Sequence, residues 1–376
     1  MRNCELIYNY NQHFLLFFNY LGTIMYDVCL ICTHPNPATH FVEYVQVFEE
    51  NKISYEIIAG ADVAGKFSEF KDKVFVIQSL EALEEHCKNK KLVISDISTE
   101  ILIELFQRLE QKYPSIQRAV LYDNNEKYVG GGYTETARKI IPYAQMILFA
   151  NANLAKTGIE ESPLVLMDVS KLSLIPIGHI PMNEAKSILS NRQDAIKKSN
   201  LRAEFFQNKG IVDKNQKIYV YVGGANDTYY EKAFPAFLDL LLGLKNSSIF
   251  LLQQHPRAKE ASIDVNLLLS TQPKSNVFVS NLSTIESLTI ADGVLYYQTN
   301  MAAQFPYAGI PWIAQIGHET YDDVLIRSGI PSITNSDAFE KALSQEETPI
   351  SWQRLEQERG VDSNWKQNLL NLIYKK

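Results

Sequence analysis

The sequence predicts an α/β protein that contains two parallel-sheet domains in tandem. Short apolar runs rich in β-branched residues alternate with longer segments whose apolar residues recur at helical spacing. This alternation gives way to a polar stretch after residue 182 and starts again near residue 217. The length of 376 residues also suits two domains of ordinary size. Together these observations indicate two Rossmann-like domains rather than one very wide sheet.

The first domain is expected to span residues 25–182. Helices are predicted at Phe41–Asn51, Glu81–Lys88 and Thr99–Lys112. Such alternation produces parallel strands joined by helices that cover both faces of the sheet. The predicted strands are the apolar runs Val28–Cys32, Tyr55–Ile58, Val74–Gln78, Leu92–Ser95, Ala119–Tyr122 and Met146–Ala150.

A polar helical stretch, Asn183–Asn208, predicts a connector over residues 183–212, and the second domain is expected at 213–350. Its predicted strands are Lys217–Val222, Ile249–Gln253, Val277–Val279, Gly293–Tyr297 and Trp312–Ile316. Its helices are predicted at Tyr230–Leu244, from Thr284 onwards, at Met301–Ala308 and at Asp322–Arg327. A last helical segment, Trp352–Tyr374, lies within residues 351–376.

Residues 1–24 are interpreted as an N-terminal extension, with the fold beginning near Met25. The apolar run from Phe14 to Met25 is too short and interrupted to cross a membrane. It also lacks a convincing basic region or small-residue cleavage site, so a secretory signal is not indicated. We therefore expect a cytoplasmic protein without a membrane span. The abundance of Asn, Lys and Ile hints at a bacterial source.

Charge and cysteine content exclude several function classes. The net charge is −7, from 36 basic and 43 acidic residues, and no basic stretch is interleaved with aromatic residues. No nucleic-acid partner is therefore expected. Cys29 and Cys32 fall within one predicted strand, where their side chains would point to opposite faces. Because no second cysteine pair could complete a zinc site, we expect core thiols and no metal.

Two strand ends in the second domain carry candidate ligand-binding residues. Gly223 and Gly224, followed by Asn226, would allow backbone N–H groups at a helix N-terminus to approach an anion. A simple tight turn is the alternative. His255 and Arg257 follow the next strand, where arginine offers a bidentate fork for a diphosphate or for sugar hydroxyls. Here the alternative is an arginine that is solvated at the surface.

Two further strand ends in this domain are unusually polar. Thr299 and Asn300 place hydroxyl and amide groups at the start of a predicted helix. The segment Gly317–Asp323 follows an apolar strand and contains His318, a further candidate for ligand binding. Asp322 is equally well explained as the cap of the next helix.

The first domain offers three candidate catalytic residues at its own strand ends. His40 lies in the segment 33–40, which is interpreted as a loop after the first strand. A histidine there, with a pKa near neutrality, could act as a general base. Asp96 and Asp123 each follow a predicted strand and could act as the base or orient a histidine. All three could instead cap the helices that follow them.

The order of these motifs over residues 217–335 resembles a known group. A strand with Gly-Gly and a strand with His-Pro-Arg are followed by Ser283–Asp292 and by Thr299–Pro311, which ends in Gly-Ile-Pro. This pattern is similar to the nucleotide-sugar-binding half of GT-B glycosyltransferases and of the UDP-GlcNAc 2-epimerase superfamily. One departure concerns Gln304, which stands where many members place a glutamate that binds the donor. The amide can hydrogen-bond hydroxyls but cannot act as a charged acceptor.

The resemblance implies a GT-B-like protein with an interdomain cleft and a C-terminal helix that returns to the first domain. It implies a metal-independent glycosyltransferase without a cofactor, in which helix dipoles and basic side chains stabilise the leaving diphosphate. The partners would be a nucleotide-sugar donor and an unknown acceptor. Donor-binding residues would be Gly223, Gly224, Asn226, His255, Arg257, Thr299, Asn300, Gln304 and His318.

Two rival functions remain open. The first is a sugar-nucleotide epimerase or hydrolase of the same fold, in which Asp96 and Asp123 would act on the sugar itself. A product that depends on an acceptor would separate it from a transferase. The second is a nucleotide-sugar-binding protein that has lost catalysis, and Gln304 keeps this reading open. Tight nucleotide binding without turnover would favour it.

Overall fold

The computed structural model describes residues 27–123, 132–156, 170–224, 229–243, 248–254, 276–297, 299–316 and 323–374. The predicted extension at residues 1–24 lies outside these ranges. Among the helices within them, none has the length and apolar character needed to cross a membrane.

In the described part of the first half, seven strands form one sheet in which each neighbouring pair is parallel. The central strands are rich in Val, Ile and Leu and are buried on both faces, as expected for a helix-covered parallel sheet. The strands are β1 (Val28–Cys32), β2 (Tyr55–Ala59), β3 (Val74–Val76), β4 (Leu92–Ser95), β5 (Gln117–Tyr122), β6 (Met146–Phe149) and β7 (Ser173–Pro176). Across the sheet they lie in the order β3-β2-β1-β4-β5-β6-β7.

Helices cover both faces of this sheet. They are α1 (Pro35–Glu50), α2 (Leu80–Cys87), α3 (Glu100–Lys112), α4 (Gly132–Ile140) and α5 (Ala152–Lys156), with 3-10 segments at Ala64–Lys73 and Ile141–Tyr143. On one face, α1 buries Phe41 and Phe48 against β1 and β2. On the other, α2 and α3 bury Leu83 and Phe106. Three cysteines, Cys29, Cys32 and Cys87, are buried free thiols, which confirms the prediction of core thiols for this part of the chain.

The second half forms a parallel sheet of six strands within the described ranges. The strands are β8 (Ile218–Val222), β9 (Ile249–Gln253), β10 (Val277–Val279), β11 (Gly293–Tyr296), β12 (Trp312–Ile316) and β13 (Ser332–Ile333). Their order across the sheet is β10-β9-β8-β11-β12-β13. Two parallel sheets with alternating helices confirm the predicted fold class.

The helices of the second half pack on the two faces of its sheet. They are α6 (Asn183–Gln193), α7 (Ala195–Asn208), α8 (Phe234–Gly243), α9 (Thr284–Ile290), α10 (Val324–Arg327) and α11 (Ser336–Leu343), with a π-helical turn at Tyr229–Ala233 and a 3-10 turn at Asn300–Gln304. The predicted connector is thus two helices, because Asp194 has extended backbone and caps α7 through its side chain. Ile188 and Phe205 from these helices belong to the core of the second half.

The C-terminal tail connects the two halves. Its first helix, α12 (Trp352–Glu358), buries Leu355 in the core of the second half. Its second helix, α13 (Trp365–Tyr374), buries Leu369 and Ile373 in the core of the first. The helix that returns to the first domain was therefore predicted correctly, although the tail is broken into two helices at Gly360, where φ is +54°. The predicted domain limits at residues 182, 212 and 350 stay predictions.

Candidate functional site

The candidate site lies where the strand order of each sheet reverses. In the first sheet the chain builds outwards from β1 to one side and from β4 to the other. In the second sheet β8 and β11 are the corresponding neighbours. The carboxyl ends of strands at such points leave a crevice between the loops that follow them, and open α/β sheets bind ligands there.

Asp96 follows β4 and is fully buried, with an exposed fraction of 0%. Its carboxylate accepts hydrogen bonds from the Thr33 hydroxyl (2.8 Å), from the Thr33 backbone N–H and from the Ser98 backbone N–H (2.9 Å). Burial raises the pKa of Asp96 to about 6, and the charge of Asp123 adds to this effect, whereas the three donors oppose it. Both carboxylate oxygens therefore hold the turn between β1 and α1.

Asp123 follows β5, two strands from β1. Its exposed fraction is 4%, and its Oδ2 accepts a 2.6 Å hydrogen bond from Asn36 Nδ2 in the first turn of α1. The charge of Asp123 contributes to the raised pKa of Asp96, so the two carboxylates lie within electrostatic range of each other. The structure thus brings these two predicted residues together at one sheet edge. Asn36 was not among the predicted site residues.

His40 differs from its predicted setting. It lies inside α1 rather than in a loop, because α1 begins at Pro35, whose ring favours the first helical position, with His34 as the N-cap. The side chain is 2% exposed, and its Nδ1 has no hydrogen-bond partner among the described residues. Burial, together with the charge of Arg359, lowers the pKa of His40 to about 3. The expected near-neutral base is therefore not what the structure provides at this position.

A cluster of aromatic and polar side chains surrounds His40, and we call it the junction cluster: His40, Tyr44, His179, Arg359 and Trp365. The rings of His40 and His179 meet edge to face at 5.5 Å, and His179 lies 4.1 Å from Trp365. Burial lowers the pKa of His179 and raises that of Tyr44. Since Arg359 and Trp365 belong to the tail, the cluster joins the first sheet to the C-terminus. Sequence reasoning missed it because its members come from distant segments.

The paired glycines after β8 serve a packing role in the structure. A Cβ at Gly223 would lie 2.3 Å from the Tyr229 hydroxyl oxygen, and one at Gly224 would lie 3.0 Å from the Tyr229 ring. The Gly223 N–H donates to the Gln253 carbonyl at 3.4 Å. Tyr229 in turn contacts Tyr297 at the end of β11, with ring centroids 5.6 Å apart. The glycines therefore make room for a tyrosine that covers the strand ends.

The polar groups after β11 begin a 3-10 turn instead of the predicted α-helix. Thr299 is its N-cap, with Oγ1 accepting from the Met301 N–H at 3.2 Å, and Asn300 is its first residue. Gln304 ends the turn and is 8% exposed. Its Oε1 is buried and has no hydrogen-bond partner among the described residues.

Two polar networks at the second sheet were not predicted. Ser287 donates to Gln253 Oε1 at 2.8 Å and is hydrogen-bonded to Ser280. The Tyr296 hydroxyl donates to Asp323 Oδ2 at 2.8 Å, while Asp323 Oδ1 caps α10. The cap that the sequence placed at the adjacent aspartate is thus provided by Asp323.

Four predicted donor-binding residues, Asn226, His255, Arg257 and His318, lie outside the described residues. Among the residues the structure does describe, no group of three or more His, Cys, Asp or Glu side chains is arranged to hold a metal ion.

Solved structures of similar architecture identify the fold. The chain matches the UDP-GlcNAc 2-epimerase from Methanocaldococcus jannaschii with a TM-score of 0.61 and 12% identity, covering 93% of this chain and 100% of that one. The chain has a GT-B-like fold. The epimerase from Neisseria meningitidis bound to UDP-GlcNAc gives a TM-score of 0.59 at 11% identity, over 93% and 100% of the two chains. A glycosyltransferase from Rickettsia africae gives 0.59 at 12% identity, over 93% and 94%.

Sequence comparisons add no closer relationship. No protein-family model matches the chain, and no curated protein matches it. At identities of 11–12%, the structural likeness establishes the GT-B-like architecture of this chain.

Proposed function

We propose that the protein transfers a sugar from a UDP-sugar donor to an acceptor hydroxyl, with Asp123 as the general base. The observation that carries this proposal is the buried Asp123 carboxylate after β5, next to the strand-order reversal between β1 and β4, where Asn36 holds it at 2.6 Å. Its support comes from structures of similar fold that were solved with bound UDP-GlcNAc and UDP.

In the proposed reaction the acceptor oxygen attacks the anomeric carbon of the donor sugar. The bond between that carbon and the diphosphate oxygen breaks, and its electron pair leaves with UDP. The acceptor proton passes to Asp123. Basic side chains at His255 and Arg257 would stabilise the leaving diphosphate, as the resemblance implies.

The second sheet is the proposed donor side. The buried, unpartnered Gln304 Oε1 would accept a hydrogen bond from a donor hydroxyl, and Thr299 and Asn300 lie at the start of the same 3-10 turn. Gly223 and Gly224 would contribute by leaving room for Tyr229, whose ring covers the neighbouring strand ends.

Epimerisation is the second candidate function, because Asp96 and Asp123 lie within electrostatic range and could form an acid–base pair on one sugar. Transfer is favoured because both oxygens of Asp96 already accept hydrogen bonds from Thr33 and Ser98. Asp96 is thereby held within the fold, so its carboxylate is the less able of the two to exchange a proton with a ligand.

Product analysis separates these functions. The protein is incubated with UDP-GlcNAc, first alone and then with pooled sugar, lipid-alcohol and polyol acceptors, and UDP release and the sugar are followed by NMR. If the protein is a transferase, UDP release requires an acceptor. The rate of release should fall at least about 100-fold in Asp123→Asn. Asp72→Asn, which changes an exposed residue, is the control and should keep full activity. A C2 epimer formed without an acceptor would establish epimerisation instead, and binding without turnover would favour a protein that has lost catalysis.

A further inference from the structure

Asn36 makes a hydrogen bond that spans the reversal point of the first sheet. Its Nδ2 donates to Asp123 Oδ2 at 2.6 Å, although the two residues are 87 positions apart in the chain. Asn36 follows β1 and Asp123 follows β5, with β4 between these strands. The bond therefore passes over the strand end that carries Asp96.

The backbone around Asn36 is held rigidly. Pro35 and Pro37 flank it, and each ring fixes its own φ angle. The Asn36 N–H donates to the His34 imidazole at 3.4 Å, and the Asn36 carbonyl accepts from the Thr39 hydroxyl at 2.7 Å. The amide consequently reaches Asp123 from a nearly fixed position, and little conformational entropy is lost in making the bond.

The groups that respond to the charge of Asp123 are themselves acids. After burial, the charge of Asp123 is a further cause that raises the pKa of Asp96 after β4, of Tyr44 on α1 and of Tyr122 on β5. The same holds for the Cys32 thiol at the end of β1. A hydrogen bond that an N–H group donates to a carboxylate favours the ionised form of that carboxylate.

We propose that Asn36 is a positioning residue for Asp123, orienting its carboxylate and stabilising its ionised form. This inference rests on the proposed function, in which Asp123 must be ionised to accept a proton. It gives the first turn of α1 a part in setting how strongly Asp123 binds a proton.

The direct test is the titration of Asp123 itself, followed by NMR of protein carrying ¹³C-labelled aspartate, with Asp123→Asn used to identify the signal. Asn36→Ala should move the titration midpoint of Asp123 upwards by about one pH unit, the effect of losing one hydrogen bond to a charged group. Asn36→Asp, which has nearly the same size, should move it further because two carboxyl groups then meet at hydrogen-bond distance.

Asn51→Ala is the matched control, because Asn51 caps the other end of α1 by donating to the Val47 carbonyl at 2.8 Å. It should lower stability but leave the Asp123 midpoint unchanged. Equal midpoints in wild type, Asn36→Ala and Asn36→Asp would overturn the proposal. If the proposed function holds, the acid limb of the kcat/KM profile moves with the midpoint. A shifted Asp123 midpoint in a protein without turnover would support the positioning role of Asn36 and reject sugar transfer.

Discussion

Burial governs the ionisable side chains where the first sheet meets the tail. It raises the pKa of Asp96 to about 6 and lowers that of His40 to about 3, so in both cases the neutral form gains. Tyr44 and His179 shift in the same sense. Burial therefore favours the neutral form of each of these groups, and the two buried histidines make the junction cluster sensitive to acid.

Stability should depend on pH through His40. Because its folded-state pKa of about 3 lies below the ordinary 6.5, the unfolded chain binds an extra proton between these values. The free energy of unfolding therefore falls as pH decreases from 6.5, by up to about 1.4 kcal/mol per pH unit for this group. Asp96 acts in the opposite direction, since its raised pKa means that its contribution is lost as pH rises through about 6.

Urea unfolding at pH 7, 6, 5 and 4 isolates the His40 contribution. His40→Gln should lose less stability towards pH 4 than wild type, because the variant lacks the His40 titration. Asp96 and His179 titrate in both proteins, so the difference in slope reports His40. Gln46→Ala, which removes no titratable group from the same helix, should keep the wild-type slope. Identical slopes for His40→Gln and wild type would show that His40 is not held neutral.

Some site residues could be predicted from sequence and others could not. Asp96 and Asp123 were predicted to lie at strand ends, because parallel strands deliver their carboxyl ends to one edge. The helical position of His40 was missed, although Pro35 after His34 is a helix-start signal. His179 and Arg359 reach the junction only through packing of the tail, for which no local sequence pattern exists.

At the scale of elements, the core strands were predicted well because Val- and Ile-rich runs buried on both faces have a clear signal. The 3-10 segment Ala64–Lys73 and the edge strands β7 and β13 were not predicted, since they are short or only partly buried. The tail was predicted as one helical segment because a single glycine is a weak signal for a break.

Gly360, where the tail is broken into two helices, is tightly enclosed by the first half. At Gly360, φ is +54° and a Cβ would lie 2.1 Å from Asn151 Oδ1 and 2.7 Å from the Ala152 nitrogen. Gly360→Ala should therefore destabilise the protein by more than about 2 kcal/mol. Gly210→Ala is the control, because Gly210 has a φ of +66° with nothing within 4 Å, and should cost only about 1 kcal/mol. Equal losses in urea unfolding would mean that the contact with Asn151 is not formed.

At the scale of the whole molecule, the two halves are joined by more than the connector. Met182 donates its N–H to Glu43 at 3.1 Å, and Asn151 donates to the Glu358 carbonyl at 3.1 Å. The tail then places Leu355 in one core and Leu369 in the other. Gly178 and Gly360, which both have positive φ, lie where the tail packs closely on the first half.

The central claim is that the second half binds a nucleotide-sugar, and a thermal-shift panel of UDP-, GDP-, CDP- and dTDP-sugars tests it most directly. A UDP-sugar at about 100 times its Kd should add roughly 2.7 kcal/mol of stability and raise Tm by several degrees. Gln304→Leu should reduce this shift, whereas Gln345→Leu, at an exposed position in the same half, should preserve it. No shift with any nucleotide-sugar, in a protein that unfolds cooperatively, would contradict the claim.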